Sequence, residues 1–264
     1  MKWAIVLVAN QPYFERSLAT IHQARSVGQW KDDIILMYDS AMSFDEEIKR
    51  QLDELNIILI PLPQLALDVF LRAWSNKKDH ENYEYIMSHP YIYMKFFVFH
   101  RDLRQWNDRV FYIDAGVQIQ GPLERMKVAC QGTGVLYAHS DAYPRYEWSL
   151  RRQFCFDICD NETKEEMEQK YNLDCDYFQT TIMIFDTKII EEDTIEKLFS
   201  LAEKYPFAGR MDQGIINLHF LCERKLWKQI PVMDDIGFLY DFIERPGCLR
   251  RQYLMLKYPM QLLN

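Results

Sequence analysis

Short apolar runs separated by longer segments of helical spacing limit the folds that are open to this chain. The run 2–9 is apolar after its first residue, and the runs 33–38 and 57–60 repeat the pattern. Segments 12–27 and 44–55, which lie between them, have the apolar spacing of helices. Apolar strands that alternate with helices are typical of parallel β-α-β units. The sequence therefore predicts an α/β fold with a mainly parallel central sheet flanked by helices.

The remainder of the chain gives a less regular pattern. Residues 64–90 show no clear period, and the polar run 75–84 predicts a surface loop. Further elements are expected, in chain order, as helix 91–106, strands 110–113 and 132–138, helix 161–171, strand 181–185, helices 190–204 and 211–220, and strand 227–230. No Pro/Gly-rich linker or internal repeat divides the chain, so we expect residues 1–264 to form a single domain.

Charge and hydropathy exclude some classes of partner. The formal net charge of -8 leaves no basic excess to neutralise a nucleic-acid backbone, so no nucleic-acid partner is expected. The apolar run 3–9 is too short to span a bilayer and has no small-residue cleavage site after it. We therefore expect no transmembrane segment and a cytoplasmic location.

The six cysteines give no metal or disulfide signature. They form no C-x-x-C pair, and no histidine stands at zinc-ligand spacing from them. Buried free thiols are the simplest interpretation, with Cys155 and Cys159 on one face of a helix.

A polar residue follows the first apolar strand directly. Asn10 ends this strand and Tyr13 follows, so an amide and an aromatic ring could hydrogen-bond to a uracil base and stack on it. Ligands of open α/β sheets bind beyond the carboxyl ends of the strands, which favours this interpretation. The alternative is that Asn10 caps the next helix and Tyr13 packs against it.

A carboxylate, Asp114, follows the strand 110–113 in the segment Phe-Tyr-Ile-Asp-Ala-Gly. Lys95 and Trp106 precede this segment, and Gly121-Pro122-Leu123 follows it. The whole region resembles the strand and Asp-x-Asp motif of family 8 glycosyltransferases, the group that includes glycogenin. The resemblance implies a GT-A fold, in which Lys95 and Asp114 would serve a nucleotide diphosphate and its divalent cation.

The sequence departs from the family motif at Gly116, which stands where the second aspartate is expected. A carboxylate about 5 Å from a diphosphate repels it by roughly 3 kcal/mol per charge pair at an effective dielectric near 20, and a bridging Mn²⁺ or Mg²⁺ reverses that sign. Asp114 could bind the cation alone with water and phosphate oxygens, or Asp234 or Asp235 could complete the site. The family's C-terminal histidine is also missing, and Lys257 is a candidate for a phosphate contact.

Two further segments match the family in the expected order. Residues 210–217 resemble its Asp-Gln-Gly-x-x-Asn signature, so Asp212 and Gln213 would lie beneath the donor sugar as catalytic residues. Taken alone, Asp212 could equally be a helix cap. Residues 176–181 are similar to the Phe-Asn-Ser-Gly strand, with Gln179 at the position of the amide that binds the sugar.

The resemblance implies transfer of a hexosyl group from a UDP-sugar to a hydroxyl of a glycan, protein or lipid, with retention of configuration. Gly116 and the missing histidine motivate an alternative, a degenerate GT-A domain that binds a nucleotide sugar or glycan without turnover. A sugar nucleotidyltransferase is disfavoured, because no Gly-rich loop with Arg or Lys follows the first strand to hold a triphosphate.

Overall fold

The computed structural model describes residues 1–81, 83–143, 147–209, 212–243 and 251–254, with the backbone alone for 241–243 and 251–254. Its strands are β1 Trp3–Ala9, β2 Asp33–Asp39, β3 Ile57–Leu62, β4 Arg109–Ile113, β5 Gln118–Ile119, β6 Leu136–Ser140, β7 Phe178–Asp186, β8 Trp227–Gln229, β9 Met233–Asp234, β10 Gly237–Phe238, β11 Tyr240–Ile243 and β12 Arg251–Leu254.

The α-helices cover both faces of the main sheet. They are α1 Phe14–Ser26, α2 Glu46–Glu54, α3 Leu65–Trp74, α4 Tyr83–Met87, α5 Leu103–Trp106, α6 Glu124–Ala129, α7 Asn161–Lys170, α8 Thr194–Lys204 and α9 Asp212–Asn217. The 3-10 helices are Gln11–Tyr13, Ile92–Phe99, Leu150–Gln153, Phe156–Ile158 and Thr187–Ile189, and a π-helix, Leu218–Glu223, continues α9. Among the described residues, no helix combines the length and apolar character needed to span a membrane.

The main sheet has seven strands in the order β3-β2-β1-β4-β7-β6-β8. Four of its six pairings are parallel, and the two that involve β7 are antiparallel. The predicted α/β class and the mainly parallel sheet are therefore confirmed. Two small sheets complete the described structure, one of β9 and β10 and one in which β12 lies between β11 and β5.

Successive side chains of β1 pack alternately into two different hydrophobic cores. Ala4 and Val6 face one core, whereas Trp3, Ile5 and Leu7 face the other. Because successive side chains of a strand point to opposite faces, a fully apolar strand requires cover on both sides. This explains why β1 is apolar throughout.

The antiparallel strand β7 positions the site. Its first residues lie beside the last residues of β4, because Ile113 pairs with Ile182 and the Asp114 amide donates to the Thr181 carbonyl at 2.8 Å. Residues that begin β7 therefore meet residues that follow β4 at one edge of the sheet.

Several predicted elements need correction. Residues 64–90 contain α3 and α4, and α3 buries residues 66, 69, 70, 73 and 74 at helical spacing. Leu65 and Leu71 are apolar but exposed, which obscured that period in the sequence. The expected helix 91–106 is interrupted at His100, whose φ and ψ of -71° and 133° are extended. The expected strand 132–138 begins only at Leu136, after Gly134 turns the chain with a φ of +67°.

The prediction for the cysteines holds only in part. Five of them, in the part of the chain that the structure describes, are free thiols, but of these Cys130 alone is buried. Cys155 and Cys159 do not share a helix face, because they flank the short 3-10 helix Phe156–Ile158.

Candidate functional site

A cavity of about 190 Å³ opens at the carboxyl ends of β1 and β4. Four of the residues predicted from the sequence line it, namely Asn10, Tyr13, Lys95 and Asp114. The topology brings them together, because β1 and β4 are parallel neighbours and end at the same edge.

Asn10 carries an unused hydrogen-bonding atom in this cavity. Its side chain is buried, it makes no capping hydrogen bond to the helix that follows, and its Oδ1 atom has no partner. Asn10 therefore occupies the N-cap position of the 3-10 helix Gln11–Tyr13, but its side chain does not cap that helix. A buried carbonyl without a donor costs about 1–3 kcal/mol, which a ligand that supplies an N–H group would recover. Tyr13, which also lines the cavity, is half-buried and carries the guanidinium of Arg16 5.5 Å from its ring centroid.

Lys95 lies between two carboxylates. Its Nζ atom is 3.2 Å from Oδ1 of Asp114 and 2.9 Å from Oδ2 of Asp212. The ammonium also donates to the Thr180 hydroxyl at 3.2 Å. Lys95 and Asp212 are buried, whereas the Asp114 side chain is 33% exposed. One cation therefore links the end of β4, the start of β7 and the start of α9.

The electrostatics keep Lys95 charged. Burial alone would lower the pKa of Lys95, but Asp114 and Asp212 outweigh it and raise that pKa above its usual value. Burial raises the pKa of Asp114, and Lys95 opposes this shift. Burial and the adjacent Asp114 raise the pKa of Tyr112 well above its usual value, so its phenol stays protonated and donates to Asp114.

The two catalytic candidates are fixed by hydrogen bonds to β7. Asp212 accepts from the Thr180 hydroxyl at 2.8 Å, and Gln213 accepts from the Thr180 amide at 3.1 Å. The Gln213 amide donates to Asp141 at 3.2 Å and to Gln153 at 3.1 Å. The Asp212 carboxylate thus contacts groups across the sheet edge, which the simple capping alternative does not explain.

Asn217, the last residue of the signature, has a structural role. Its side chain accepts from the Phe178 amide at 3.0 Å and donates to the Phe178 carbonyl at 2.7 Å. It also donates to the Gln213 carbonyl at 2.9 Å. These bonds hold α9 against the beginning of β7.

Gln179 is buried at the start of β7 and accepts a hydrogen bond from the Tyr240 hydroxyl at 2.8 Å. In the described part of the molecule, the cavity wall includes neither Gln179 nor Asp212 and Gln213. Asp212 instead contacts Lys95, which does line the cavity. The predicted residues therefore form two adjoining groups, one in the cavity and one behind Lys95.

The predicted cation site lies at Asp114. Asp114 is partly exposed in the cavity, so its carboxylate fits a hard cation as a single protein ligand. Gly116 has a φ of +93°, a conformation that an aspartate rarely adopts. Asp234 is ion-paired with Arg125, whose hydrogen bond lowers the pKa of that carboxyl to about 2. In the described part of the chain, neither Asp234 nor the exposed Asp235 lines the cavity that contains Asp114. Lys257, Arg210 and Met211 lie outside the described residues.

Several residues of the site were not predicted from the sequence. His89 and Tyr91 line the cavity, and the Nδ1 atom of His89 hydrogen-bonds to the Tyr85 carbonyl at 2.8 Å. Asp141 follows β6 and accepts hydrogen bonds from the Gln213 amide and the Tyr177 hydroxyl. The only sequence signal for Asp141 was its position just after a strand.

Comparison with known proteins identifies the fold. No family model matches the sequence, and no curated protein matches it. Among solved structures, the bifunctional glycosyltransferase WbbM is similar with a TM-score of 0.54 and 19% identity, over 88% of this chain and 39% of that one. The galactosyltransferase LgtC, solved with donor and acceptor sugar analogs, is similar with a TM-score of 0.57 and 15% identity, over 86% of this chain and 72% of that one.

Core-mannan synthase A from Aspergillus fumigatus, solved in a form with Mn and GDP, is similar with a TM-score of 0.51 and 11% identity, over 87% of this chain and 72% of that one. At these identities the likeness shows the fold alone. The chain has the GT-A fold, as the resemblance to family 8 implied, and it spans well under half the length of WbbM.

Proposed function

We propose that this chain is a glycosyltransferase that moves a hexosyl group from a UDP-sugar to a hydroxyl acceptor, with retention of configuration. The observation that carries the proposal is the Lys95 ammonium, held between Asp114 and Asp212 at the wall of a cavity that also contains Asn10 and Tyr13. The nucleoside, the diphosphate and the sugar of the donor would then bind to three successive parts of one site.

The nucleoside end is assigned to Asn10 and Tyr13. The unpartnered Oδ1 of Asn10 would accept the N–H group of a uracil, and the Tyr13 ring would stack on the base. This assignment favours a base whose exposed edge offers a hydrogen-bond donor. Guanine also offers N–H donors, so the choice of UDP rests on the resemblance to family 8.

The diphosphate is assigned to Lys95 and Asp114. The two carboxylates and the single ammonium leave this group with a net charge of about -1, which repels a diphosphate. A divalent cation on Asp114, Mn²⁺ or Mg²⁺, would supply Lewis-acid stabilisation of the leaving UDP. Lys95 would donate to a phosphate oxygen while it stays paired with Asp212.

The donor sugar is assigned to Gln179, Asp212 and Gln213. Asp212 would stabilise the positive charge that develops on the sugar as its bond to UDP breaks. Gln213 is held by Thr180, Asp141 and Gln153, so its position is fixed before the sugar binds. Side chains held in place in this way can stabilise the transition state more strongly than the ground state.

One observation favours a second candidate, a GT-A domain that binds a nucleotide sugar or glycan without turnover. Gly116 offers no second carboxylate at the position where the family motif has one, and Asp234 is paired with Arg125. The two functions differ in whether UDP is released. A cytoplasmic location and a single domain also stay predictions.

The test is UDP release from a panel of UDP-sugars, with and without Mn²⁺. We expect release that depends on the cation and falls at least 100-fold in Asp114→Asn and Asp212→Asn. Asp53→Asn, an exposed carboxylate on α2, is the matched control and should behave as the wild type. Binding of UDP without release from any donor would establish the second candidate instead, and a panel of GDP-sugars run in parallel would reveal a different nucleotide.

A further inference from the structure

Three side chains of types that commonly ligate metals lie close together outside the cavity. His80 belongs to the connection between α3 and α4, whereas Cys155 and Asp157 lie at the 3-10 helix Phe156–Ile158. One ligand atom from each lies within 4.8 Å of the other two. The Nε2 atom of His80 is 3.8 Å from Oδ2 of Asp157. None of the three lines the nucleotide cavity.

The surrounding structure fixes two of these side chains. The imidazole of His80 is 2% exposed and meets the edge of the Trp74 ring, with 5.9 Å between centroids. The backbone amide of Cys155 donates to the Phe207 carbonyl at 2.7 Å. Gly209 makes room for the thiol, because a Cβ atom at that position would lie 2.3 Å from the Cys155 Sγ atom. The nitrogen and sulfur ligands are therefore positioned before any ion arrives.

The third side chain leaves the site open to solvent. The Asp157 carboxylate is 69% exposed, so an ion can enter beside it and a water molecule can take a fourth position. This combination of fixed ligands and one open side is common in sites with three protein ligands.

The nitrogen, sulfur and oxygen ligand atoms determine which metal ion the cluster prefers. A tetrahedral Zn²⁺ site with bonds of about 2.0–2.3 Å places its ligand atoms about 3.3–3.8 Å apart, so the cluster needs to contract by only about 1 Å. Imidazole nitrogen and thiolate sulfur prefer Zn²⁺ to the hard cations Mg²⁺ and Ca²⁺. The same set is a poor match for the oxygen-bound cation proposed at Asp114.

One neighbouring charge opposes binding. The Lys77 ammonium lies 4.7 Å from the centroid of the Trp74 ring and donates to the Pro206 carbonyl. A thiolate and a carboxylate balance the charge of Zn²⁺, so Lys77 leaves the loaded site with one net positive charge. This limits the affinity without preventing binding.

We propose that His80, Cys155 and Asp157 bind one Zn²⁺ ion, with water as the fourth ligand. Binding deprotonates the thiol, and that proton passes to solvent. The ion would tie the connection between α3 and α4 to the segment 155–157. The chain continues from that connection to His89 and Tyr91 in the cavity wall, so the ion would stabilise this wall from outside. The proposal does not depend on the transferase function.

The test uses reduced protein that has been freed of metal with a chelator. Titration with Co²⁺, as a spectroscopic probe, should give one equivalent with a thiolate-to-metal charge-transfer band, and Zn²⁺ should displace it. Cys155→Ser should abolish the band. Asp157→Asn should weaken Zn²⁺ binding at least tenfold, and because this side chain is exposed the variant should fold normally.

The controls are Cys175→Ser and the exposed His22→Ala, which replace the same residue types outside the cluster. Both should keep the band and the affinity of the wild type. Zn²⁺ should also raise the Tm of the wild type and of these controls, but not that of Cys155→Ser. Wild-type affinity in Cys155→Ser or Asp157→Asn, or no stoichiometric binding by the wild type, would overturn the proposal.

Discussion

The Lys95 ammonium lies 2.9 Å from the Asp212 carboxylate, and both side chains are buried at the point where α9 meets the start of β7. The pair joins a 3-10 helix to a residue more than 100 positions later in the chain. Lys95 also reaches Asp114, so its replacement leaves two acidic groups close together without a cation.

We therefore expect Lys95→Met to lower the free energy of unfolding by about 3–5 kcal/mol, the usual effect of removing one partner of a buried ion pair. Urea unfolding measures this change. Lys49→Met, which breaks the exposed pair with Glu46, is the matched control and should leave the free energy of unfolding close to that of the wild type. Equal effects of the two substitutions would mean that Lys95 has no special electrostatic role.

The buried His139 predicts a loss of stability in acid. Burial lowers the pKa of His139 to about 4, below the 6.5 of an exposed histidine. The unfolded chain therefore takes up this proton first as the pH falls, so the contribution of His139 is complete above about pH 6.5 and is lost between pH 6.5 and 4. The free energy of unfolding should fall by up to about 1.4 kcal/mol per pH unit in that window.

Urea titrations at several pH values check this slope. In His139→Phe the slope between pH 6.5 and 4 should be smaller by the contribution of one proton. An unchanged slope in His139→Phe would show that other groups cause the acid effect.

Asn10 should contribute to nucleotide binding and not to folding. Its Oδ1 atom has no partner in the protein, so Asn10→Leu removes no internal hydrogen bond of that atom. We expect about a tenfold loss of UDP affinity, because one hydrogen bond to the base is lost, and no loss of stability. Calorimetric titration with UDP and thermal unfolding measure the two effects. A variant with lowered stability and unchanged affinity would assign Asn10 to the fold.

Gly116 should resist replacement because of its backbone conformation. With a φ of +93°, Gly116→Ala and Gly116→Asp should both lose about 1–2 kcal/mol of stability. The alanine variant gives the backbone cost alone, since the nearest atom to its new Cβ is 3.9 Å away on Arg16. Chemical denaturation compares the two variants. Full stability of Gly116→Ala would show that this segment adapts easily, and the missing aspartate would then need another explanation.

The sequence predicted the strands of the sheet better than the helices, for a physical reason. Strands β1, β2 and β4 are largely buried on both faces, so β1 is apolar throughout and β2 and β4 are apolar apart from the charged residues Asp33, Asp39 and Arg109 at their ends. Helix α3 has exposed leucines beside its buried face, and residues 93–99 are buried on all sides. Neither segment has the clean amphipathic period on which a helix prediction depends.

The predicted site residues were found through strand ends and through the family resemblance. The contacts between them were not predictable, because the Thr180 hydroxyl bridges Lys95 and Asp212 only after β7 has paired with β4. His89 and Asp141 left no pattern in the sequence, since each owes its place to tertiary packing. The zinc cluster was missed for the same reason, because His80 and Cys155 are far apart in the chain and form no spaced motif.

The hydrogen bond from Tyr240 to Gln179 connects the start of β7 to a distal part of the chain. Tyr240 begins β11, which pairs with β12, and β12 in turn pairs with β5 shortly after Asp114. Proteolytic clipping before Tyr240 would release the Gln179 amide while leaving Lys95 and Asp114 in place. If the proposed function holds, the clipped chain should bind the nucleotide as before but discriminate less between sugars, so selectivity and affinity would be separable by a single cut.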